Sequence, residues 1–520
     1  MNKLLSLLLI IVIQQSHVNA QKTPYFQKFK LDNQLKVAFT QSDKQETVIE
    51  IYESLKVDNE TRLPGLKSVV FNCIMAIIQE DQEIASLIKA RKCSTSVKDN
   101  KLYFRFPKRY TEHFLQIIAQ TFKNPKFEDN TLQKVIQQQL SLLENDCQNP
   151  QKNAFYTQQI VNFKNYPYGK VTSPTSLQRI RLKNVINYCE QNFSAPTTRL
   201  IIIGSPPLGK IKKWNQQYFG DWKEKNFYRK YTKKSKAPKK RSIHYAKNKN
   251  ESEAAIIISH PIRLRPFGLY QHAASLLSFI YQQQLADQFE DEKINAHFEL
   301  KPDNNLGIFT AGLELPADQL PEVLPVFLSW INTISQQKIQ DSTFQSYKRA
   351  WIKQLSKYKN SIEGQLSYAH HFLLLNNAKP FYEDADIIRN IQPSDITAAG
   401  NMFIQPKQSY LIIAAPPSHQ KSIQTLFPDE EIHLHDCRGR EIQGVMNSSK
   451  KISLNTILEK YLDTIGCIKQ LEAIHSITYT QTSHYAKSII QKNYQKKAPN
   501  KLVVHQFFNQ ILTKEIKYDG

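Results

Sequence analysis

The 520-residue sequence has little glycine, no paired-cysteine motif and only one long apolar run. Its 14 glycines are too few for a collagen-like or low-complexity chain. The six cysteines lack C-x-x-C spacing, so neither a metal site nor a disulfide framework can be read from them. After residue 20, no apolar run approaches the ~18 residues of a membrane span. We therefore expect packed globular domains, soluble in the mature protein.

Acidic residues are the minority charge, with 46 Asp and Glu against 69 Lys and Arg, and the net charge is +23. The basic residues are spread along the chain, with one denser run, KKSKAPKKR, at 233–241. No nucleic-acid-binding motif accompanies them. The charge therefore favours a solvated surface, or peripheral contact with an anionic membrane, over nucleic-acid binding.

The first twenty residues have the outline of a secretory signal peptide. Lys3 precedes an apolar run from Leu4 to Ile13, and the small residue Ala20 closes the segment. This run is too short to cross a membrane. We expect the protein to be exported, and in a Gram-negative bacterium this predicts a periplasmic location.

A repeated segment indicates internal duplication. FSAPTTRLIIIGSPP (193–207) and FIQPKQSYLIIAAPP (403–417) align without gaps and are identical at six of fifteen positions. Each contains a short buried strand that ends at a pair of prolines. Each also follows a loop and a predicted helix. The repeat predicts two homologous domains.

Hydrophobic periodicity predicts the same mixture of helices and strands in each half. Segments 29–41 and 46–55 are expected to be paired strands, followed by a buried helix at 65–80. The fold class is α+β, in two homologous domains with an antiparallel sheet flanked by helices. The expected parts are a signal peptide at 1–20, an N-terminal domain at 21–222, a basic linker at 223–242, a second domain at 243–430 and a partial C-terminal α/β extension at 441–520. His433 and His435, in HLHD, are expected in a solvated loop before that extension.

The chain resembles the insulinase and pitrilysin (M16) family of zinc peptidases over roughly 400 residues. The segments that carry the resemblance are LDNQLKVAF (31–39), LPGLKSVVFNCIM (63–75), NPQKNA (149–154), YPYGK (166–170) and NFSAPTTRLIIIG (192–204). The resemblance implies two similar α+β domains that face each other like a clamshell around a peptide-binding cavity. The C-terminal segment resembles part of a lipoprotein-carrier-like module, with Cys467 in place of the second glycine of a Gly-Gly pair.

The positions that would bind zinc in this family carry unsuitable residues here. Active members have H-x-x-E-H on the first buried helix, where two histidines bind zinc and the glutamate acts as general base. These positions fall on Ser68, Asn72 and Phe71, and a third ligand would fall on Gln138 or Gln139. Hydroxyl and amide groups bind zinc far more weakly than imidazole or carboxylate, and a phenyl ring cannot take a proton. We therefore expect no catalytic residues, no bound metal and no cofactor.

The second half departs from the family pattern as well. The family uses an Arg and a Tyr there to stabilise the developing oxyanion, and Glu290 and His297 fall at these places. A carboxylate would repel an oxyanion. The resemblance implies a degenerate subunit that pairs with an active one as a heterodimer.

Peptide binding can outlast catalysis, because an extended peptide adds to an edge strand through backbone hydrogen bonds. The family's edge strand falls on Ser94, Thr95, Ser96, Val97 and Lys98, and an edge strand packed against a partner is the alternative interpretation. We predict an exported, non-catalytic M16 subunit that scaffolds or forms a peptide chamber with an active zinc peptidase. The alternatives are an active zinc metalloendopeptidase with atypical ligands, and a periplasmic binding or carrier protein.

Overall fold

The chain divides into two units, one ending at Ser448 and the other beginning at Ser449. The structure is a computed structural model that describes residues 26–54, 63–164, 167–223, 237–266, 270–303, 306–334, 339–374, 383–446, 475–485, 488–497 and 501–519. The predicted signal peptide and most of the predicted linker lie outside these residues. No helix in these ranges combines the length and apolar character needed to cross a bilayer.

The first sheet has six strands in the order β1-β2-β6-β3-β5-β4. They are β1 (Phe26–Lys30), β2 (Lys36–Gln41), β3 (Glu46–Glu53), β4 (Ser94–Lys98), β5 (Lys101–Pro107) and β6 (Thr198–Gly204). β2 and β6 are parallel, and the other pairs are antiparallel. The prediction that segments 29–41 and 46–55 pair with each other is therefore wrong, because β6 lies between β2 and β3. Burial of β3 on both faces fits this central position.

Helices cover one face of this sheet and build the larger core of the first half. The helices of this half are α1 (Leu66–Gln79), α2 (Gln82–Lys89), α3 (Thr111–Lys123), α4 (Asp129–Asp146), α5 (Pro150–Phe163), α6 (Pro174–Gln178), α7 (Leu182–Asn192) and α8 (Leu208–Phe219). α1 is the buried helix predicted at 65–80. Its residues Val70 and Ile74 pack in one cluster with Phe39, Ile49 and Phe104 of the sheet.

The second sheet has seven strands in the order β13-β12-β7-β11-β8-β10-β9. They are β7 (Ser242–Lys247), β8 (Glu253–Ile262), β9 (Asn295–Lys301), β10 (Gly307–Pro316), β11 (Tyr410–Ala415), β12 (Ile432–His435) and β13 (Glu441–Met446). Its helices are α9 (Gln271–Gln288), α10 (Leu320–Thr333), α11 (Asp341–Lys359), α12 (Ile362–Leu374), α13 (Glu383–Asn390), α14 (Pro393–Phe403) and α15 (Gln420–Leu426).

Five strands of each sheet share one topology. β2-β6-β3-β5-β4 and β7-β11-β8-β10-β9 have the same order and the same parallel and antiparallel pairings. β6 and β11 come from the two repeated segments. The sheets differ beyond this set, where β1 is antiparallel to β2 but β12 is parallel to β7. The second domain therefore continues past residue 430, and His433 and His435 lie in a strand rather than a solvated loop.

The two halves exchange helices. α5, from the first half, packs on the second sheet, in a cluster formed by Ala154, Val161, Ala246, Ala255, Ile257, Tyr410, Ile412 and Ala414. α12, from the second half, packs on the first sheet, in a cluster that includes Ala38, Val48, Ile201, Leu366, Ala369 and Leu373. Each sheet is thus covered by its own helices on one face and by a helix of the other half on the opposite face. This supports the two-domain clamshell.

Polar contacts accompany this exchange. The amide of Asn162 on α5 donates to Ser259 Oγ of β8 at 2.8 Å, and the amide of Gln158 donates to Thr310 Oγ1 of β10 at 2.7 Å. All four side chains are buried, so these bonds fix the position of α5 on the sheet. Cys147, which follows α4, forms a disulfide with Cys437 in the β12–β13 turn, across 290 residues.

The described part of the second unit is a four-stranded antiparallel sheet in the order β14-β15-β16-β17. The strands are β14 (Ser476–Tyr485), β15 (Ser488–Lys497), β16 (Lys501–Phe508) and β17 (Ile511–Tyr518). The helix-like sequence at 454–474 lies outside the described residues, as does Cys467. One cross-strand row consists of Tyr479, Tyr494, Val504 and Ile516, so these side chains share a face.

Candidate functional site

Two of the predicted metal positions are in contact between α1 and α4, and a third lies one turn away on α1. Ser68 Oγ donates to Gln139 Oε1 across 3.5 Å, and the Asn72 amide donates to the Ser68 carbonyl oxygen at 2.8 Å. Ser68 and Asn72 lie one turn apart on the same face of α1. Gln139 is half-buried, whereas Gln138 is exposed. Of these two glutamines, Gln139 is therefore the one that contacts a predicted metal position.

Phe71 has a different role. Its side chain is fully buried, and its ring makes edge contacts with Phe193 and Phe122, at centroid distances of 5.5 and 6.5 Å. Aromatic pairs of this kind stabilise a core beyond the burial of their area. The position predicted for the general base therefore lies in the hydrophobic core.

The chemistry of this cluster is neutral. Hydroxyl and amide groups satisfy one another there, and none of the three carries a charge. The adjacent Cys73 supplies no thiolate, because burial raises the pKa of its thiol to about 12. Within the described ranges, no three His, Cys, Asp or Glu side chains are grouped so that they could hold a metal ion. The arrangement can donate and accept hydrogen bonds, but offers no group suited to activating water.

The structure places Glu290 and His297 on the surface of the second half. Glu290 lies exposed in the connection from α9 to β9. His297 lies on β9, its side chain is 57% exposed, and its Nε2 is 3.8 Å from Glu299 Oε2. A carboxylate thus lies beside His297, and a negative charge of this kind would not stabilise an oxyanion.

The residues predicted to bind peptide form β4 (Ser94–Lys98), which lies at the edge of the first sheet as expected for this role. β9 has the same edge position in the second sheet. The Gln79 amide at the end of α1 donates to Thr95 Oγ1 at 2.8 Å. The helix with the altered metal positions is therefore tied directly to the edge strand. Binding of a peptide here stays a prediction.

The hairpin geometry of β4 leaves specific backbone groups open. Asp99 and Asn100 both have positive φ, 52° and 56°, as in the two-residue turn that fits strand twist. Lys98 and Lys101 are the pair that closes the turn. In an antiparallel ladder, hydrogen-bonded pairs alternate with pairs that point outward. The N–H and C=O groups of Thr95 and Val97 therefore point to the open edge.

Comparisons with known proteins agree with this geometry. Residues 179–350 match the family model described as the peptidase M16 inactive domain. No curated protein matches the chain. The peptidase M16 inactive domain from Pseudomonas fluorescens is similar in structure, with a TM-score of 0.64 and 16% identity, over 75% of this chain and 98% of that one.

Two further solved structures share the fold. A protease from Helicobacter pylori has a TM-score of 0.62 and 13% identity, over 76% of this chain and 100% of that one. The periplasmic protease PqqL from Escherichia coli has a TM-score of 0.59 and 13% identity, over 77% of this chain and 46% of that one. The resemblance to M16 peptidases is thus confirmed: the domain model matches, and the fold is that of M16-like proteins.

Proposed function

We propose that this protein is an exported, non-catalytic M16-type subunit that scaffolds or forms a peptide-binding chamber with an active zinc metallopeptidase. The observation that carries the proposal is the neutral contact between Ser68 and Gln139, where metal ligands would lie. A catalytic zinc site needs three good protein ligands and a water. The match to a domain described as inactive supports the same conclusion.

The sequence supports the loss of catalysis independently. Both zinc-binding helix motifs, H-x-x-E-H and H-E-x-x-H, need two histidines four residues apart. No two of the 14 histidines in this sequence have that spacing. The motif is therefore absent from α1 and from every other segment. A conventional zinc helix elsewhere in the sequence is therefore excluded, and an active metalloendopeptidase with atypical ligands is the alternative that zinc analysis tests.

An active partner would supply the zinc ligands and the general base. The repeated topology of the two sheets supports an origin by internal duplication, and Glu290 and His297 leave the second half without an oxyanion-binding pair. The clamshell and its edge strand β4 remain. A scaffold in a heterodimer is the function that uses these retained parts.

Export is supported by three observations. The first twenty residues resemble a secretory signal peptide, Cys147 and Cys437 are joined as disulfides are in oxidising compartments, and one structural neighbour is a periplasmic protease. We infer a periplasmic or otherwise exported protein.

The test uses the purified full chain and the cells that encode it. The protein alone should retain no zinc after dialysis and should cleave no peptide in a chelator-sensitive manner. Chemical cross-linking in the native envelope should join it to a peptidase with an intact H-x-x-E-H motif, and adding it to that peptidase should change the cleavage rate. Stoichiometric zinc together with chelator-sensitive cleavage would overturn the proposal.

A second function is favoured by the sheet of the C-terminal unit. Ile477, Tyr479 and Ile516 are large apolar side chains that remain exposed there. An exposed apolar face of this kind fits an apolar ligand, as in the carrier alternative. Binding of a fluorescent fatty acid by the full chain, weakened by Ile516→Lys but not by Lys517→Gln, would support this function. Equal binding by both variants would exclude this face.

A further inference from the structure

A cationic groove opens where β4 begins. Its volume is about 670 Å³. One wall is the β2–β3 turn and the other is the connection from α2 to β4, while β5 forms the floor. The lining residues are Lys44, Gln45, Glu46, Arg91, Lys92, Cys93, Ser94, Arg105, Phe106 and Pro107.

The charge in this groove is strongly unbalanced. Four of its lining residues are basic, and Glu46 is the one acid among the described residues that line it. Arg105 already holds Glu46 in a bidentate pair, with N···O distances of 2.8 and 2.9 Å. Among the described residues, no carboxylate forms an ion pair with Lys44, Arg91 or Lys92, so these exposed charges are available to an anionic ligand.

The backbone at Arg91 supports a role for its side chain. Arg91 has a φ of 55°, in the left-handed region that favours glycine. It follows α2 directly, where Lys92 N–H donates to the Leu87 carbonyl and Arg91 N–H donates to the Ile88 carbonyl, both at 2.9 Å. This pattern is a helix C-terminal motif in which glycine is the usual residue. Arginine is therefore accommodated there at a cost in backbone strain, which is compatible with a binding role for its side chain.

The groove is continuous with the open edge of β4. Ser94 lines the groove and is also the first residue of the strand. Thr95 and Val97 direct their backbone groups outward. An extended peptide that pairs with them would run past Ser94, and its end would enter the groove. Backbone pairing would fix the peptide's path, and the groove would then select the side chain at one end.

We propose that the groove beside Ser94 binds the Asp or Glu side chains of an extended peptide whose backbone pairs with β4. The inference rests on the proposed function only in taking β4 as a peptide-binding edge. It names the class of peptide, acidic at one end, that the chamber would admit. The ligand carboxylates lie against Arg91, Lys92 and Lys44.

The experiment measures fluorescence anisotropy with the full chain and labelled ten-residue peptides of alternating Thr and Val. One pair of peptides carries Asp-Glu-Asp at the amino or the carboxyl end, and a matched pair carries Asn-Gln-Asn. We expect one acidic peptide to bind about tenfold tighter than its amide counterpart, because several exposed ion pairs converge on it. Salt at about 0.5 M should remove most of this difference in affinity, because it screens exposed charges. Arg91→Glu/Lys92→Glu should abolish the preference.

Matched controls separate the groove from general surface charge. Lys183→Glu/Lys213→Glu changes the net charge equally at exposed sites on α7 and α8, and should leave the preference intact. An acidic peptide that is N-methylated on alternate residues should lose binding, because it cannot pair with β4. Equal affinity for acidic and amide peptides, equal loss in both double variants, or undiminished binding of the N-methylated peptide would overturn the inference. Chelator-sensitive cleavage of any peptide would instead overturn the proposed function.

Discussion

Cys147 and Cys437 join the two halves of the first unit covalently. Cys147 follows α4 in the first half, and Cys437 lies in the β12–β13 turn of the second. Gly439 of the same turn lies so close to the backbone of Thr157 that a Cβ there would be 2.6 Å from the Thr157 nitrogen. The disulfide and this close approach hold the turn against α5.

Removing the disulfide should destabilise the protein strongly. Cys147→Ser/Cys437→Ser releases a loop of 290 residues, and the chain-entropy model gives a cost of roughly 5.7 kcal/mol for a loop of this size. Chemical denaturation should show a lower midpoint for the double variant. Dithiothreitol should lower the midpoint of the wild type but leave that of the variant unchanged. An equal effect of the reductant on both would contradict the assignment.

Acid should destabilise the first unit through His244. Its Nδ1 is 2.9 Å from His435 Nε2 and its Nε2 is 2.9 Å from Ser242 Oγ, while the ring of His433 stacks on it. Burial, followed by the nearby His435, His433 and Lys164, lowers the pKa of His244 to about 2. The unfolded chain therefore binds the proton first, and below pH ~6.5 the free energy of unfolding falls by about 1.4 kcal/mol per pH unit for this group.

This pH dependence can be tested by replacing the imidazole. His244→Phe leaves the His435 nitrogen without its partner and lowers stability at neutral pH, but it should flatten the slope of stability against pH below ~6.5 by about one proton. Urea titrations at several pH values measure the slope. An unaltered slope in His244→Phe would exclude this residue.

Restoring ligands should restore zinc binding. Ser68 and Gln139 already lie in contact, so Ser68→His, Asn72→His and Gln139→Glu should place three zinc ligands at one point. The triple variant should retain one equivalent of zinc after gel filtration. A matched triple variant with Gln138→Glu in place of Gln139→Glu should retain much less, because Gln138 is exposed and away from the cluster. Equal retention by the two would show that α4 is misplaced.

Phe71 should now act as a core residue. Phe71→Ala empties a fully buried site among Phe122 and Phe193 and should lower the free energy of unfolding by about 3–5 kcal/mol. Phe71→Leu, which keeps most of the volume, should cost less than half as much. Denaturant titration of both variants provides the measurement. A small loss in Phe71→Ala would mean that the ring is dispensable to packing.

We expect Arg91 to lower the free energy of unfolding while it strengthens binding of the acidic peptide. Arg91→Gly relieves the positive φ and should raise the free energy of unfolding by about 0.5–1 kcal/mol, while weakening the acidic peptide. Arg91→Ala keeps the unfavourable conformation and should weaken binding without the gain in stability. Thermal unfolding and peptide anisotropy on the same samples check both effects. A glycine variant that is no more stable than the alanine variant would remove the backbone argument.

Local patterns in the sequence predicted local structure well. The buried helix at 65–80 and the strands around the two repeats follow from hydrophobic periodicity, which depends on neighbours along the chain. The resemblance also predicted that Ser68 lies near a glutamine of α4, and Ser68 contacts Gln139 although 71 residues separate them. It left Gln138 and Gln139 open, because only the helix rotation distinguishes them.

Contacts between distant segments could not be predicted. His433 and His435 lie in a short stretch that resembles a loop, and their strand exists because it pairs with β7, about 190 residues earlier. The partner of Cys147 lies 290 residues away, and no local signal marks it. The insertion of β6 between β2 and β3 is also non-local. Each of these features depends on tertiary pairing rather than on propensity.

Because α5 and α12 each pack on the sheet of the other half, cutting the chain at the predicted linker, 223–242, should not give two stable fragments. A fragment ending there would keep the first sheet but lose Leu366, Ala369 and Leu373, which cover it. The other fragment would lose Ala154 and Val161 from its own sheet. Both would expose broad apolar strands prone to self-association. We therefore expect neither half to fold stably without the other, because each completes the packing of the other's sheet.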